Sequence, residues 1–291
     1  HGEYGFLSFF GRLNYTYNDR YMLDFSLRRD GSSRFGEDKR YGYFPAGSVG
    51  WVLTEENFMQ DIPLLTFLKL RASYGITGNA EIGNYRYFGL WSTNQYNGQA
   101  GIGPSNVANP ELHWEESSQL DIGLDFGLLD GRISGGFDYY YKRSEDMLLQ
   151  KNIEQTTGFS NVIQNLGEME NMGIELFVTS NNLVGDFKWI TDFNLSTNKN
   201  EILNIEGQII SGNDAGGTYG NNFAIEGHPI GSWRLVEYYG VVPSDGYYTI
   251  TNGSYDPDTY DPEAFDPQDE STYQFGPESF EIFAYGGDPL F

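Results

Sequence analysis

The sequence of 291 residues has no cysteine and only three histidines, His1, His113 and His228. The first absence excludes a disulfide scaffold and every thiolate metal site or nucleophile. The second leaves no histidine pair at metal-ligand spacing. Basic residues are scarce as well: 17 Lys and Arg stand against 41 Asp and Glu, a formal net charge of −24. A nucleic-acid partner needs a Lys/Arg surface that neutralises phosphates, so this balance argues against one. No run of eighteen apolar residues occurs, which excludes a transmembrane helix. No basic and apolar leader follows His1, so the expectation is a processed chain or one that starts in mid-protein. Candidate carboxylate pairs such as Glu115/Glu116 or Asp256/Asp258 name no chemistry without a separation in space, and no Ser-His-Asp roles can be assigned. The chain is therefore expected not to be an enzyme.

What is abundant is aromatic: 16% of residues, with 22 Tyr, 21 Phe and 5 Trp. Membrane-interface girdles consume such residues, and so do carbohydrate-binding surfaces. Their placement follows an alternation. Leu7, Phe9, Leu13, Tyr15 and Tyr17 share one face of a first segment, against Ser8, Arg12, Asn14, Thr16 and Asn18. After Asn18-Asp19-Arg20 the pattern resumes, with Tyr21, Leu23, Phe25 and Leu27 against Asp24, Ser26, Arg28 and Asp30. Period two marks strands, and their length of about ten residues, with one oily and one ionic face, suits a bilayer crossing better than a soluble sandwich.

Further segments repeat the signal. Val49 and Trp51 fall on a third strand, with Trp51 placed as an interfacial anchor. Leu68, Leu70, Ala72, Tyr74 and Ile76 alternate with Lys69, Arg71, Ser73 and Thr77 on a fourth. A Gly/Asn-rich loop is expected from Gly78 to about Ser117. Leu120, Ile122, Leu124 and Phe126 then lead through an Asp130-Gly131 hairpin turn to Ile133, Phe137, Tyr139 and Tyr141. A second long loop is expected from Arg143 to Met172. After it come Ile174, Leu176 and Val178, turns at Asn181-Asn182 and Gly185-Asp186, and an eighth strand with Phe187, Trp189, Phe193 and Leu195. Short turns at one end and long loops at the other are the asymmetry of outer-membrane barrels. Beyond Asn198 only Trp233 to Val242 and Tyr247 to Ile250 read as strands. The division is thus 1–196 for barrel strands with their loops and 197–291 for a mainly extracellular loop region. Arg234 is the last basic residue. The Asp-Pro pentads from Tyr255 to Asp269 forbid a helix or a central strand.

These residues resemble the SusC/RagA family of TonB-linked outer-membrane transporters. The match lies in Leu27 to Gly36 (LRRDGSSRFG), Tyr43 to Trp51 (YFPAGSVGW), Leu68 to Asn79 (LKLRASYGITGN), Asn109 to Gln119 (NPELHWEESSQ), Asn165 to Leu176 (NLGEMENMGIEL), Phe193 to Glu201, and Glu226 to Trp233. The resemblance implies an all-β fold, an antiparallel transmembrane β-barrel segment of about eight strands within a roughly 22-stranded plugged barrel, with long extracellular loops. It implies an address in the bacterial outer membrane, in contact with its lipid. Import of oligosaccharides or peptides is expected, with a SusD-like surface lipoprotein as lid, a TonB complex acting through a part absent from this chain, and a dimer of the transporter pair. An alternative class is a soluble secreted all-β polysaccharide-binding module, in which Leu68, Leu70, Leu120, Ile122 and Leu124 would pack on another sheet.

Candidate ligand contacts are the loop aromatics Tyr85, Tyr87, Trp91, Tyr96, Trp114, Trp233 and Tyr238, which either stack on sugar rings or peptide side chains or pack the loops and lid. Arg28, Arg29, Asp30, Arg34, Asp38, Lys39 and Arg40 read as a loop held by ion pairs. Asp24, Lys69, Arg71, Asp121, Asp125, Asp138 and Lys142 read as lumenal charges paired across strands. Asp256, Asp258, Asp261 and Asp266 are weak calcium candidates, though their spacing does not match an EF-hand loop. No other cofactor is expected.

Overall fold

The computed structural model describes residues 2–59, 62–211, 222–234, 238–241, 248–250 and 283–284. The chain divides into two units, residues 1–208 and 209–291. In the first, eight strands form one antiparallel sheet: β1 (Phe6–Tyr17), β2 (Tyr21–Ser32), β3 (Tyr41–Val52), β4 (Leu65–Asn79), β7 (Glu115–Leu128), β8 (Ile133–Asn152), β9 (Asn161–Val184) and β10 (Lys188–Asn204). Each pairs with its chain neighbours in that order, and the sheet stays open between β1 and β10. A hairpin of β5 (Trp91–Tyr96) and β6 (Gln99–Pro104) is inserted between β4 and β7. In the second unit β11 (Ile210–Ser211), β12 (Asn222–Ala224), β13 (Ser232–Arg234) and β16 (Phe283–Ala284) make a small sheet, and β14 (Tyr238–Val241) pairs with β15 (Tyr248–Ile250). No helix among the described residues is long and apolar enough to cross a membrane.

Register converts the alternation into two continuous faces. One row runs Tyr21, Trp51, Leu70, Leu124, Phe137, Leu176 and Leu195 across seven strands. The opposite face carries the row Asn14, Asp24, Ser48, Ser73, Asp121, Tyr140, Gly173 and Asn198. Among the described residues no second sheet covers the apolar face: Leu70, Ile122 and Phe193 are 38%, 49% and 52% exposed. The sandwich expected of a soluble module is therefore not built. A sheet that leaves this much hydrocarbon uncovered needs lipid as its solvent.

The turns explain the short end. Asn18 and Asp19 have φ of 49° and 55°, and Asp130 and Gly131 have 56° and 77°, the left-handed geometry that tight hairpins require and that Asn, Asp and Gly tolerate. Beside the first turn the rings of Tyr17 and Tyr21, and of Tyr21 and Trp51, stack with centroids 6.4 Å apart. Glu56, in the connector after β3, accepts hydrogen bonds from the Tyr21 hydroxyl and the Trp51 indole N–H and lies 3.6 Å from Arg20. This is a girdle whose polar tips are tied to the aqueous rim.

Three expectations are corrected. Arg143 to Met172 is not a long loop: β8 and β9 are 20 and 24 residues long and continue their pairing to Asn152 and Asn161, leaving only 153–160 between them. A bulge between Ser144 and Met147, with Asp146 at φ 54°, shifts the phase of the alternation, and strand length beyond the hydrocarbon no longer requires two unlike faces. Asn181 and Asn182 do not turn the chain; they lie in β9 beside a bulge, where the Asn182 amide donates to Thr191 Oγ1 at 2.7 Å, and the reversal comes at 185–187. Arg28, Arg29 and Asp30 belong to β2, with the loop starting only after Ser32.

Two outcomes follow for the full receptor carrying this segment. Gly173 lies under the Tyr140 ring and against the Thr197 carbonyl, so a Cβ there collides with backbone; Gly173→Ala should cost about 1–3 kcal/mol in denaturant unfolding, while Gly11→Ala, with open space around it, should leave the midpoint unchanged. The Tyr21 hydroxyl first, then Trp51, holds the Glu56 carboxyl below its ordinary range. A depressed carboxylate stabilises the fold above its unfolded pKa of about 4.3 and loses that contribution as pH falls through the lower folded value. Tryptophan emission of the wild type should shift in that acid window, and the shift should be missing in Glu56→Gln.

Candidate functional site

The buried apolar cluster of this unit does not lie between its spanning strands. It sits at the long-loop end, where Phe35, Phe44, Ala80, Leu112 and Trp114 pack together with Ile76, Ile82, Tyr87, Leu148 and Ile163 around them. They come from six stretches: the β2–β3 loop, β3, the end of β4, the β4–β7 loop and the extended tops of β8 and β9. Trp114 is 3% exposed, its ring contacted by Phe6, Phe35 and Phe44 at centroid distances of 5.6, 5.5 and 5.3 Å. Its indole N–H donates to the Arg40 carbonyl at 3.0 Å.

Polar clamps fix the loop to this core. The Asn165 side chain accepts from the His113 N–H at 3.0 Å and donates to the carbonyls of His113 and Asp146 at 2.8 and 2.9 Å. Asn109 donates to the Ile163 carbonyl at 2.8 Å. Arg34 reaches the Ala80 carbonyl and Asn84, with its guanidinium 4.5 Å from the Tyr4 ring centre. Lys39 pairs with Glu111 at 3.2 Å, and Arg28 with Asp30 at 2.6 Å. The mixed-charge stretch is thus a framework that anchors loops.

On this platform lies a groove of about 350 Å³ between Gly36 to Lys39 on one side and Tyr87 to Gly89, Ala108, Pro110 and Glu111 on the other. Tyr87 and Phe88 rings lie 4.0 Å apart. Gly36 lets the two walls approach, since a Cβ would come within 2.9 Å of the Pro110 carbonyl. Glu37, Asp38 and Glu111 outnumber Lys39, so the groove suits neutral or cationic ligands with a flat apolar face.

Of the seven candidate aromatics, Tyr85, Tyr87, Trp91 and Trp114 have described side chains, and of these four only Tyr87 lines the groove. Tyr85 takes φ 63° and its hydroxyl accepts from the Glu3 N–H, tying down the N-terminal stretch. Trp91, 69% exposed, stands on the β5–β6 hairpin, and Tyr96 ends its first strand. Trp114 is packed in the core with no face left for a ligand. Trp233 is in β13 and Tyr238 in β14, and their side chains lie outside the described residues, as do Asp256, Asp258, Asp261 and Asp266. Among the described residues no cluster of three or more His, Cys, Asp or Glu could hold a metal ion. Phe88 was not singled out from sequence; an aromatic in an aperiodic loop carries no signal of its partner. Of the lumenal charges, Asp24, Arg71, Asp125 and Asp138 pair across strands: Arg71 bridges Asp125 at 3.2 Å and Asp138 at 2.6 Å, and Arg12 meets Asp24 at 2.8 Å; Asp121 accepts hydrogen bonds from Ser73 and Gln119.

A sheet with one hydrocarbon face, one ionic face and its buried cluster at the loop end is wall of a membrane β-barrel. The family described as TonB dependent receptor-like, beta-barrel, matches residues 2–276, and the chain belongs to it. It is 40% identical over 247 residues to TonB-dependent receptor P3 of Formosa agariphila, covering 81% of this chain and 24% of that protein. To TonB-dependent receptor SusC of Bacteroides thetaiotaomicron it is 38% identical over 239 residues, covering 77% and 24%. The structure of the RagAB peptide transporter superposes with a TM-score of 0.76 at 31% identity, over 87% of this chain and 28% of that one. The chain spans about a quarter of the length of the curated relatives it matches. It is SusC/RagA-type wall in an outer-membrane β-barrel, and the relatives it matches are receptors and a transporter.

Removing the Asn165 clamp leaves the His113 amide and two carbonyls without partners, a loss of about 1–3 kcal/mol. Asn165→Ala should expose the segment 80–114 to protease while the spanning strands keep their heat-modifiable migration on gels. Cleavage unchanged from wild type would refute the clamp.

Proposed function

We propose that this segment is part of an outer-membrane importer of oligosaccharides or peptides, the barrel component of a SusCD-like complex that a TonB complex energises. A SusD-like lipoprotein closes over the loop end and ligand is held between lid and platform. Residues 1–196 serve as wall and platform, and 197–291 as a mainly outward loop region. The observation that carries the reading is the platform groove: two adjacent rings with surplus carboxylates, on loops clamped to the barrel and at the end opposite the tight turns. Adjacent rings bind either a sugar face or an apolar peptide side chain, and the carboxylates accept hydroxyls or cationic groups. The relatives support both cargoes, since one is SusC and another is described as a peptide transporter.

The test is native mass spectrometry of the full receptor purified with its lipoprotein, reading the mass of bound ligand. A co-purified oligosaccharide or peptide is expected. Tyr87→Ala combined with Phe88→Ala should weaken that ligand about tenfold, the effect of losing one buried aromatic contact. Full affinity in the double variant would remove the groove from the reading.

A further inference from the structure

We infer that Arg29, Tyr41 and Tyr43 form a site on the lipid-facing wall for the phosphate of an outer-leaflet glycolipid. Arg29 continues the outward series Leu23, Phe25 and Leu27 on β2, and in register its neighbours are Phe9 on β1 and Tyr43 on β3. An arginine on that face is costly in the middle of the bilayer and tolerable only near its boundary. Its height can be estimated from the girdle at Tyr21 and Trp51. Arg29 lies eight residues further along β2, about 26 Å of strand at about 3.3 Å per residue, or about 20 Å along the membrane normal at the usual barrel tilt. The apolar band is about 25 Å tall, so the Cα of Arg29 sits just inside the outer edge.

The side chain then reaches outward. Its guanidinium lies 4.1 Å from the ring centre of Tyr41, which is opposite Gly31 and one step nearer the loops, and 5.5 Å from that of Tyr43. The two rings offer only their faces, which attract the cation but accept none of its in-plane N–H groups. Asp30, the adjacent carboxylate, points to the other face and is taken by Arg28. The Arg29 Nε is shielded from water and has no acceptor among the described residues. A guanidinium with no carboxylate partner among the described residues, held at headgroup level, suits a phosphate, and a fixed cation is needed there because the chain as a whole is strongly acidic.

The full receptor in detergent should be incubated with phosphorylated lipid A or its dephosphorylated form, and retained lipid read by native mass spectrometry. Wild type should keep the phosphorylated form in preference, and Arg29→Gln should lower that retention about tenfold, the value of one charge-assisted contact. Arg132→Gln, the same change of charge at the opposite rim, should have no effect. Arg29→Lys should recover part of the retention, since it restores charge without the fork. Equal retention of the two lipids by wild type, or wild-type retention in Arg29→Gln, would overturn the inference. Displacement of the lipid by millimolar inorganic phosphate would overturn it too, by marking a free-anion site. If Arg29→Gln fails to show heat-modifiable migration, the lipid comparison on wild type and the Lys variant decide.

Discussion

Hydrocarbon offers no hydrogen bond, so every peptide group that crosses the bilayer must be satisfied by the chain itself. In this sheet the inner spanning strands meet that demand by pairing with a neighbour on either side, and the side chains are then forced to alternate between two solvents. Because the outward residues meet lipid and the inward ones water, neither face can supply a buried core. Close approach of strands is still required, and small residues permit it: Tyr140 lies flat over Gly173, using the space a side chain would fill. Pro45 stands where the β3–β4 ladder ends, the one place along β3 where a missing N–H costs little.

Packing displaced from the membrane reappears at the loops. Burying side chains such as Phe35, Leu112 and Trp114 contributes about 1.5–3 kcal/mol each, and that stabilisation fixes loops which would otherwise be long and free. The stretches that carry the family resemblance meet here. Phe35, Phe44, Ile76, Leu112 and Trp114 each come from one of the motifs that carry the family resemblance, and Asn165 from another. Their joint role is physical: they join five separated segments into one rigid platform, and the groove of Tyr87 and Phe88 inherits its geometry from that platform.

This division also decides what could be read beforehand. Spanning strands were legible because lipid and water enforce period two, and the turns at Asn18-Asp19 and Asp130-Gly131 because few residues accept positive φ. Above the membrane the enforcement ends. The tops of β8 and β9 therefore passed for a loop, hidden further by the bulge at Ser144 to Met147. The β5–β6 hairpin is a different case, since Asn97-Gly98, at φ 50° and 75°, is a strong hairpin signal that the surrounding glycines and polar residues masked. Trp114 looked like a ligand contact because sequence shows a ring in a polar loop and not the three phenylalanines around it. The groove was illegible for the same reason, being made by residues some fifty to seventy positions apart.

The ionic face has a part in choosing the register. Arg71 on β4 is held by Asp125 on β7 and by Asp138 on β8, so one guanidinium ties three strands. With side chains partly open to water, each such pair adds little to stability. Its weight lies in the alternatives it forbids. A slip of one residue in any of these strands would turn its side chains to the opposite face, carrying Arg71, Asp125 or Asp138 into hydrocarbon and Leu70, Leu124 or Phe137 into the lumen. A cation on the lipid face costs about 2–4 kcal/mol near the midplane, so even one such displacement exceeds what a half-exposed pair contributes when correctly placed. The lumenal charges thus specify the pairing by penalty more than by attraction. The same rule isolates Arg29, which stands on the lipid face only because it lies close enough to the outer boundary to reach Tyr41.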